Sequence, residues 1–183
     1  IAYDGTGYGM DGAIWGSEFL ICEGREFNRV SHLKYVCMPG GDGTMKDAQK
    51  TATCYMIGAQ AEQWIEDERK IILKAAIQNE VQTCRYSSMG RLFDAVASIL
   101  DICHLSQYEG ESAILLEQEA SQVEETVPIP DEMKFLIDHK DGMWEVDWKP
   151  LIHFLCESKG RLSKQELAYL FHQCVIEMTV KQC

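Results

Sequence analysis

The sequence predicts a mixed α/β fold of α+β character, in which an N-terminal β-hairpin or meander precedes a mainly helical region. Three observations carry that expectation. The stretch DGTGYGMDGAIWG, Asp4 to Gly16, sets five glycines in thirteen positions and leads into two strand-like segments. From Thr44 onward, apolar residues recur at helical spacing. Toward the end, a hairpin pattern around Asp141-Gly142 gives way to two amphipathic helices. As one fragment, 1–183 divides into glycine-rich strands and a turn (1–43), a helical part (44–126), a linker with a hairpin (127–148) and two closing helices (149–183).

Glycine at that density costs conformational entropy, so it persists where the backbone turns sharply or approaches a ligand closely. Successive N–H groups in such a turn form a nest for an anion. Asp4 at its head does not bind phosphate, but a carboxylate suits a divalent cation that accompanies phosphate. A plainer reading stands beside this one, a glycine-rich hairpin turning at Asp11-Gly12.

Ala13 to Cys22 reads as a strand, and Glu26 to Cys37 as another, joined at Gly24. Phe27, Leu33, Tyr35 and Cys37 keep to odd positions, while Val30 breaks the alternation. MPGGDG, Met38 to Gly43, is a turn in which Asp42 is placed to cap the next helix. Thr44 to Asn79 carries a helical pattern through Ala48, Ala52, Tyr55, Met56 and Ala59, then Ile65, Ile72, Leu73, Ala76 and Ile77. Within it, Glu66 to Lys70 reads as a solvated helix start with acids ahead of bases, structural and not chemical.

SSMGRLFDAVASIL, Ser87 to Leu100, sets two serines and a glycine before an amphipathic helix, where hydroxyls can cap the free N–H groups. Leu92, Val96, Ile99 and Leu100 make its apolar stripe, and Arg91, Asp94, Ser98 and Asp101 share a polar face. Spacing leaves open whether Asp94 is solvated or touches a ligand held near the helix N-terminus. Tyr108-Glu109-Gly110-Glu111 opens a further helix to about Val123. Glu109 and Glu111 suit its N-terminal dipole, the preferred reading, and carboxylates also accept hydrogen bonds from sugar hydroxyls. After the linker Val127 to Pro130, the hairpin takes Met133 to Asp138 and Met143 to Trp148, followed by helices over Lys149 to Glu157 and Ser163 to about Gln182. The last has a capping box, Ser163 with Glu166, and an apolar face of Leu167, Leu170, Phe171, Cys174, Val175 and Met178.

Composition narrows the partners. A net charge of −12 opposes nucleic acid and anionic membrane surfaces. No apolar run reaches the roughly 18 residues of a membrane span, and the N-terminus lacks a signal-peptide pattern. Eight cysteines, at 22, 37, 54, 84, 103, 156, 174 and 183, lie mostly in apolar stretches without a CxxC pair, as in a reduced, cytoplasmic protein. His153, Cys156, His172 and Cys174 match no standard zinc spacing, and core packing is the better reading. The chain opens on Ile1 and is expected to be a piece of a longer polypeptide.

Taken in order, DGTGYGMDGAIWGSEF, PGGD, SSMGRLFDAVA and YEGE resemble the hydrogenase maturation carbamoyltransferases of HypF type. The resemblance lies in their TsaD-like (Kae1-like) carbamoyl-transfer module and spans nearly the entire chain. It implies part of an actin-like ATPase fold built of ribonuclease-H-like units with glycine-rich phosphate hairpins. It also implies an activity: carbamoyl-adenylate, made from carbamoyl phosphate and ATP, passes its carbamoyl group to the C-terminal cysteine thiol of a HypE-type partner. Residue by residue, Asp4 matches the family's metal-binding aspartate, with iron or zinc as the divalent metal. Gly5, Thr6 and Gly7 fall on the phosphate-facing hairpin. Asp94 and Glu109-Gly110-Glu111 match positions near the nucleotide and its ribose.

The departures are specific. The family's two metal-binding histidines, its later aspartate and its glycine-rich adenine turn are not in this sequence. Asp47-Ala48-Gln49-Lys50 stands where a Pro-Trp-Arg usually follows PGGD, and Gln107 interrupts a typical Ser-Tyr junction. The fragment is therefore expected to be inactive alone and to need the rest of its own polypeptide. Two alternatives remain: a tRNA threonylcarbamoyl-transferase or O-carbamoyltransferase relative, and a non-catalytic interaction domain on the same scaffold. The acidic charge disfavours tRNA, as does an aspartate where the tRNA family carries Ser-Gly-Gly.

Overall fold

The structure is a computed structural model that describes residues 1–40 and 46–183, and for 4–6 the backbone alone. β1 (Ala2–Tyr8) and β2 (Ile14–Glu23) form the glycine hairpin, and β3 (Glu26–Leu33) returns antiparallel along β2. β4 (Val36–Pro39), β5 (Thr83–Tyr86), β6 (Leu136–Lys140) and β7 (Met143–Asp147) complete a mixed sheet of order β4-β5-β2-β3-β7-β6, with β1 paired to β2. The β2–β5 and β3–β7 pairs are parallel and the rest antiparallel. The mixed α/β expectation holds, and the meander leads the chain as expected.

The segment read as one strand over Glu26 to Cys37 is two, β3 and β4, which pair with different neighbours. Val30 has a physical reason for breaking the alternation. Phe19 pairs with Ser31 and Leu20 with Arg29, so Val30 is the extra residue of a β-bulge. The hairpin β6–β7 closes on Asp141 (φ 53°) and Gly142 (φ 82°), both left-handed as a tight two-residue turn demands.

Six helices among the described residues pack with the sheet: α1 (Ala48–Gly58), α2 (Lys70–Gln78), α3 (Met89–Ile99), α4 (Glu111–Ala120), α5 (Lys149–Ser158) and α6 (Lys164–Gln182). α1 lies on α3; α3 reaches β1, β2 and α4; and α4 packs on α6. One contiguous core runs through Leu33, Met38, Tyr55, Leu92, Leu116, Leu151, Leu155 and Phe171. The α6 face named from the sequence is buried throughout. Trp148, fully buried, leans edge-on against Tyr55 (4.6 Å) and donates its indole N–H to the Lys34 carbonyl at 2.7 Å.

The helical pattern over Thr44 to Asn79 is two helices, the second beginning at Lys70, at the end of the stretch read as a helix start. α1 ends where Gln60 turns left-handed (φ 61°), with the Ala61 N–H on the Met56 carbonyl at 2.8 Å, a Schellman closure. A short 3₁₀ turn, Glu62–Trp64, follows before α2. Within Glu66 to Lys70 one acid is not solvated: Asp67 is buried, accepting the Arg69 backbone N–H at 2.8 Å, the Nε and Nη2 N–H groups of the Arg69 guanidinium and the Thr53 hydroxyl. The proposed cap Asp42 lies outside the described residues. The cap of α1 is Asp47, whose Oδ1 accepts the Lys50 N–H at 2.8 Å. Strand β5 sits within the part read as helical, and four residues with no alternation gave it no signature.

Candidate functional site

The glycine hairpin turns over residues 9–13, with the Gly9 N–H on the Ala13 carbonyl (2.8 Å) and the Gly12 N–H on the Gly9 carbonyl (3.1 Å). The Asp11-Gly12 turn read from sequence is thus present, with Gly12 left-handed at φ 74°. Gly9 is needed for space: a Cβ there would stand 2.0 Å from Trp15 Nε1. Asp11 is the hub of the tip. Its Oδ1 accepts from the Ala13 N–H (3.1 Å) and the Trp15 indole (2.9 Å), and its Oδ2 accepts from the Tyr35 hydroxyl. Burial alone would raise its pKa, but those hydrogen bonds and Arg29 outweigh it and hold the carboxyl down at about 2. Tyr35 is pushed up to about 12 by burial and by the Asp11 carboxylate.

The expected site residues 4–7 occupy an irregular part of that hairpin. Tyr3 pairs with Ser17 and Gly7 with Trp15, so β1 spends residues 4, 5 and 6 where β2 has Gly16 alone. A bulge of this kind re-aims backbone and side chains out of the ladder, and such bulges concentrate beside active sites. Gly7 is exposed and in the strand.

Behind the bulge lies a carboxylate that the motif reading passed over. Glu18 is 3% exposed, and its Oε1 accepts from the N–H groups of Gly16 (3.2 Å) and Ser17 (3.3 Å) and from the Ser87 hydroxyl. Its Oε2 takes the Nε–H of Arg29. Arg29 in turn lies 4.1 Å over the Trp15 ring and donates to Tyr35 Oη at 2.7 Å. Burial works against the Arg29 charge, but Glu18 and Tyr35 outweigh it and hold its pKa above the usual value. His32 stacks on Tyr35 at 4.8 Å, and burial lowers its pKa. The available signal was an acid inside an apolar strand, which has to find a partner to be buried at all.

The second expected group sits on α3 and α4. Ser88 caps α3 by accepting the Arg91 N–H at 3.2 Å, as the paired serines suggest. Asp94 is buried, with Oδ2 3.0 Å from Arg91 Nη2, and Ser112 of the first α4 turn hydrogen-bonds it. Burial raises its pKa, with Arg91 and Ser112 working the other way. The polar face over Arg91, Asp94 and Ser98 is therefore turned inward, and Asp101 lies beyond the helix at φ 55°. Gly110 is the left-handed N-cap of α4 (φ 81°). Glu111, in the first turn of α4, accepts the Gln107 N–H ahead of the helix, no side chain among the described residues caps α4, and Glu109 is exposed. α3 contacts both β1 and α4: Ser87, just ahead of it, reaches Glu18 on β2, and Asp94, halfway along it, reaches Ser112 in the first turn of α4.

The family described as "Carbamoyltransferase, Kae1-like Domain, second subdomain" matches residues 1–183. The chain belongs to the HypF carbamoyltransferase family. Carbamoyltransferase HypF of Synechocystis sp. is 27% identical over 98% of the chain and 26% of its own length. That of Rhodobacter capsulatus is 35% identical over 72% of the chain and 18% of its length. The solved structure of a full-length HypF in a phosphate- and nucleotide-bound form superposes with TM-score 0.85 at 32% identity, over 98% of this chain and 24% of that one. The HypF of T. kodakarensis shares the fold, at TM-score 0.74 and 24% identity, over 95% of this chain and 24% of that one. The chain spans about a quarter or less of these HypF relatives.

Among the described residues, no group of three His, Cys, Asp or Glu side chains is arranged to hold a metal. His153 bonds the Ala59 carbonyl, His172 the Ala168 carbonyl, and Cys174 the Met133 carbonyl, while Cys156 is buried. A cavity of about 360 Å³ lies at the other end of α3, lined by Thr53, Trp64, Ser98, His104 and Lys159, and includes none of the expected site residues. No helix among the described residues is long and apolar enough to cross a membrane.

Proposed function

We propose that the longer polypeptide containing this chain is a cytoplasmic carbamoyltransferase of hydrogenase maturation, and that this chain supplies one wall of its nucleotide cleft. In that reaction the thiolate of a partner's C-terminal cysteine, of HypE type, attacks the carbamoyl carbon of carbamoyl-adenylate. The S–C bond forms as the C–O bond to the adenylate phosphate breaks. AMP leaves with the electron pair, and the thiol proton passes to solvent. The nucleophile is the partner's, so none of the eight cysteines here is needed.

The observation that carries this reading is the three-against-one bulge at residues 4–6, beside the start of α3, in a chain matched over its full length by the family. Gly5, Thr6 and Gly7 would face the phosphates with backbone N–H groups, which stabilise charge developing on the leaving phosphate. Asp94 and Glu109-Gly110-Glu111 would line the ribose side. Asp4 would give one ligand to a divalent metal, iron or zinc. Its remaining ligands would come from the rest of the polypeptide, because among the described residues no three His, Cys, Asp or Glu side chains are arranged around a metal.

The test is the full-length protein with Asp4→Ala. Metal content and ATP-dependent transfer of a carbamoyl group to the thiol acceptor should both be lost. A variant with unchanged metal content and turnover would refute the assignment. Calorimetry of the intact protein with ATP separates this reading from a non-catalytic scaffold, which would bind none.

A further inference from the structure

We infer that Glu18 and Ser87 form a positioning pair that registers the glycine hairpin against the helix bearing Asp94. The inference rests on the proposed function for its consequence, but on geometry for its existence.

In a regular hairpin the N–H groups of β2 find carbonyls on the neighbouring strands. Where β1 places three residues against Gly16, that one-to-one match cannot be kept. The N–H groups of Gly16 and Ser17 are both held by one carboxylate oxygen, Glu18 Oε1. The same oxygen accepts the hydroxyl of Ser87, the residue immediately before the N-cap of α3. Main chain reinforces the junction, because the Ser87 N–H donates to the Ile14 carbonyl at 3.0 Å. Glu18 and Ser87 are both buried, and Arg29 compensates the charge from the far side. A carboxylate that satisfies main-chain donors at a bulge and is anchored to a helix start fixes two elements relative to each other. Hydrogen bonds to an ionised carboxylate are roughly twice as strong as those between neutral groups.

A merely structural role would show as lost stability. A positioning role shows as lost turnover in a folded protein, because errors near 1 Å in a reacting geometry cost about a hundredfold or less in rate. Ser87→Ala removes the bridge and leaves the Glu18–Arg29 pair and both backbone contacts in place. It is therefore the variant of choice, and Glu18→Gln, which also weakens the Arg29 pair, is the second.

The experiment uses the full-length protein with Ser87→Ala, Ser87→Thr and Glu18→Gln. Amide deuterium exchange is read in the peptides spanning 1–20 and α6, and carbamoyl transfer is read as kcat and acceptor KM. For Ser87→Ala we expect faster exchange over residues 14–18 and unchanged exchange in α6. We expect a fall of about tenfold in kcat with acceptor KM and thermal midpoint little changed, and recovery in Ser87→Thr, which keeps the hydroxyl. Exchange over 14–18 at the wild-type rate in both Ser87→Ala and Glu18→Gln would overturn the inference, whatever the activity. A wild-type protein without nucleotide-dependent transfer would sink the proposed function instead, and the exchange result would still decide the pair.

Discussion

The third glycine of DGTGYG offers the sharpest test of the hairpin's packing. In Gly9→Ala the new Cβ would lie 2.0 Å from Trp15 Nε1, 2.1 Å from Cε2 and 2.4 Å from Cδ1. Carbon atoms at rest sit about 3.5 Å or more apart, so the indole has to retreat by about 1.5 Å. Retreat breaks its hydrogen bond to Asp11 Oδ1, now 2.9 Å, and lifts it from the Arg29 guanidinium, now 4.1 Å from the ring centre. A hydrogen bond to a charged acceptor contributes about 1.5–3 kcal/mol and a cation–π contact about 0.5–1 kcal/mol at a partly exposed site. Their sum, reduced by whatever contacts the displaced ring regains, puts Gly9→Ala at about 2–3 kcal/mol destabilising.

The assay is a double-mutant cycle by urea unfolding, followed by far-UV circular dichroism at fixed ionic strength. Trp15→Ala alone forfeits the same two interactions. With the indole gone, a Cβ at Gly9 meets none of the atoms that obstructed it, so Gly9→Ala should cost little more in that background. The expected coupling is therefore close to the whole single-mutant cost, about 2 kcal/mol. Effects that add to within about 0.5 kcal/mol would refute the argument, because the glycine would then be serving backbone conformation and not the space under Trp15.

Three further outcomes follow from local geometry. The Asp11 carboxyl, held at about 2, contributes stability that is complete above its unfolded pKa of about 3.9 and is lost as pH falls toward 2; Asp11 is more than a third exposed, so after allowance for screening this is about 1 kcal/mol. Asp11→Asn should flatten the acid limb of a pH–stability profile, and an unchanged limb would contradict the hub role. Ser163→Ala removes the hydroxyl half of the α6 capping box, leaving the residue-163 N–H on Glu166, and should cost about 1 kcal/mol in unfolding free energy measured with urea; an unchanged free energy would contradict the cap. Glu80, exposed and left-handed at φ 53°, closes α2, so Glu80→Gly should stabilise by about 0.5–1 kcal/mol, and a loss of stability would count against backbone strain there.

That last position also explains where sequence reading of the helices ran out. α1, α2 and α3 all end in the same way, on a left-handed Gln60, Glu80 or Asp101, with the following N–H bonded five residues back to Met56, Ala76 or Ala97. The usual signal for such an end is glycine, and here it is spelt with Gln60 and Glu80, good helix formers, and with Asp101. In the run from Thr44 to Asn79 the start of the second helix was therefore legible at Glu66 to Lys70, but the end of the first at Gln60 was not. By contrast α6 was legible at its start, because Ser163 and Glu166 state the cap within four residues and the apolar face repeats for four turns. Likewise the β6–β7 hairpin was legible, because Asp-Gly is the chemistry its turn demands.

The same distinction divides the candidate site. Gly5, Gly7, Gly9 and Gly12 were conspicuous because the constraint each reports is local to the hairpin. The side chains that hold this hairpin are distant in sequence: Glu18 on β2, Arg29 on β3, Tyr35 after it, and Ser87 sixty-nine residues beyond Glu18. The solvated reading failed at Asp67, the alternatives at Asp94 stayed open and Glu18 drew no reading, yet all three are buried against an arginine. Two of those arginines, Arg69 and Arg91, lie within three residues of their acid and were within reach of a local reading. Arg29 is eleven residues from Glu18 and pairs with Leu20, two residues along β2, the Val30 bulge having shifted it onto the sheet face that carries Glu18. The bulge in β3 and the bulge in β1 thus converge on one carboxylate. The first aims the cation at Glu18, and the second leaves the amides of Gly16 and Ser17 for it to hold, which is why an acid can sit at the centre of an apolar strand without loss of the fold.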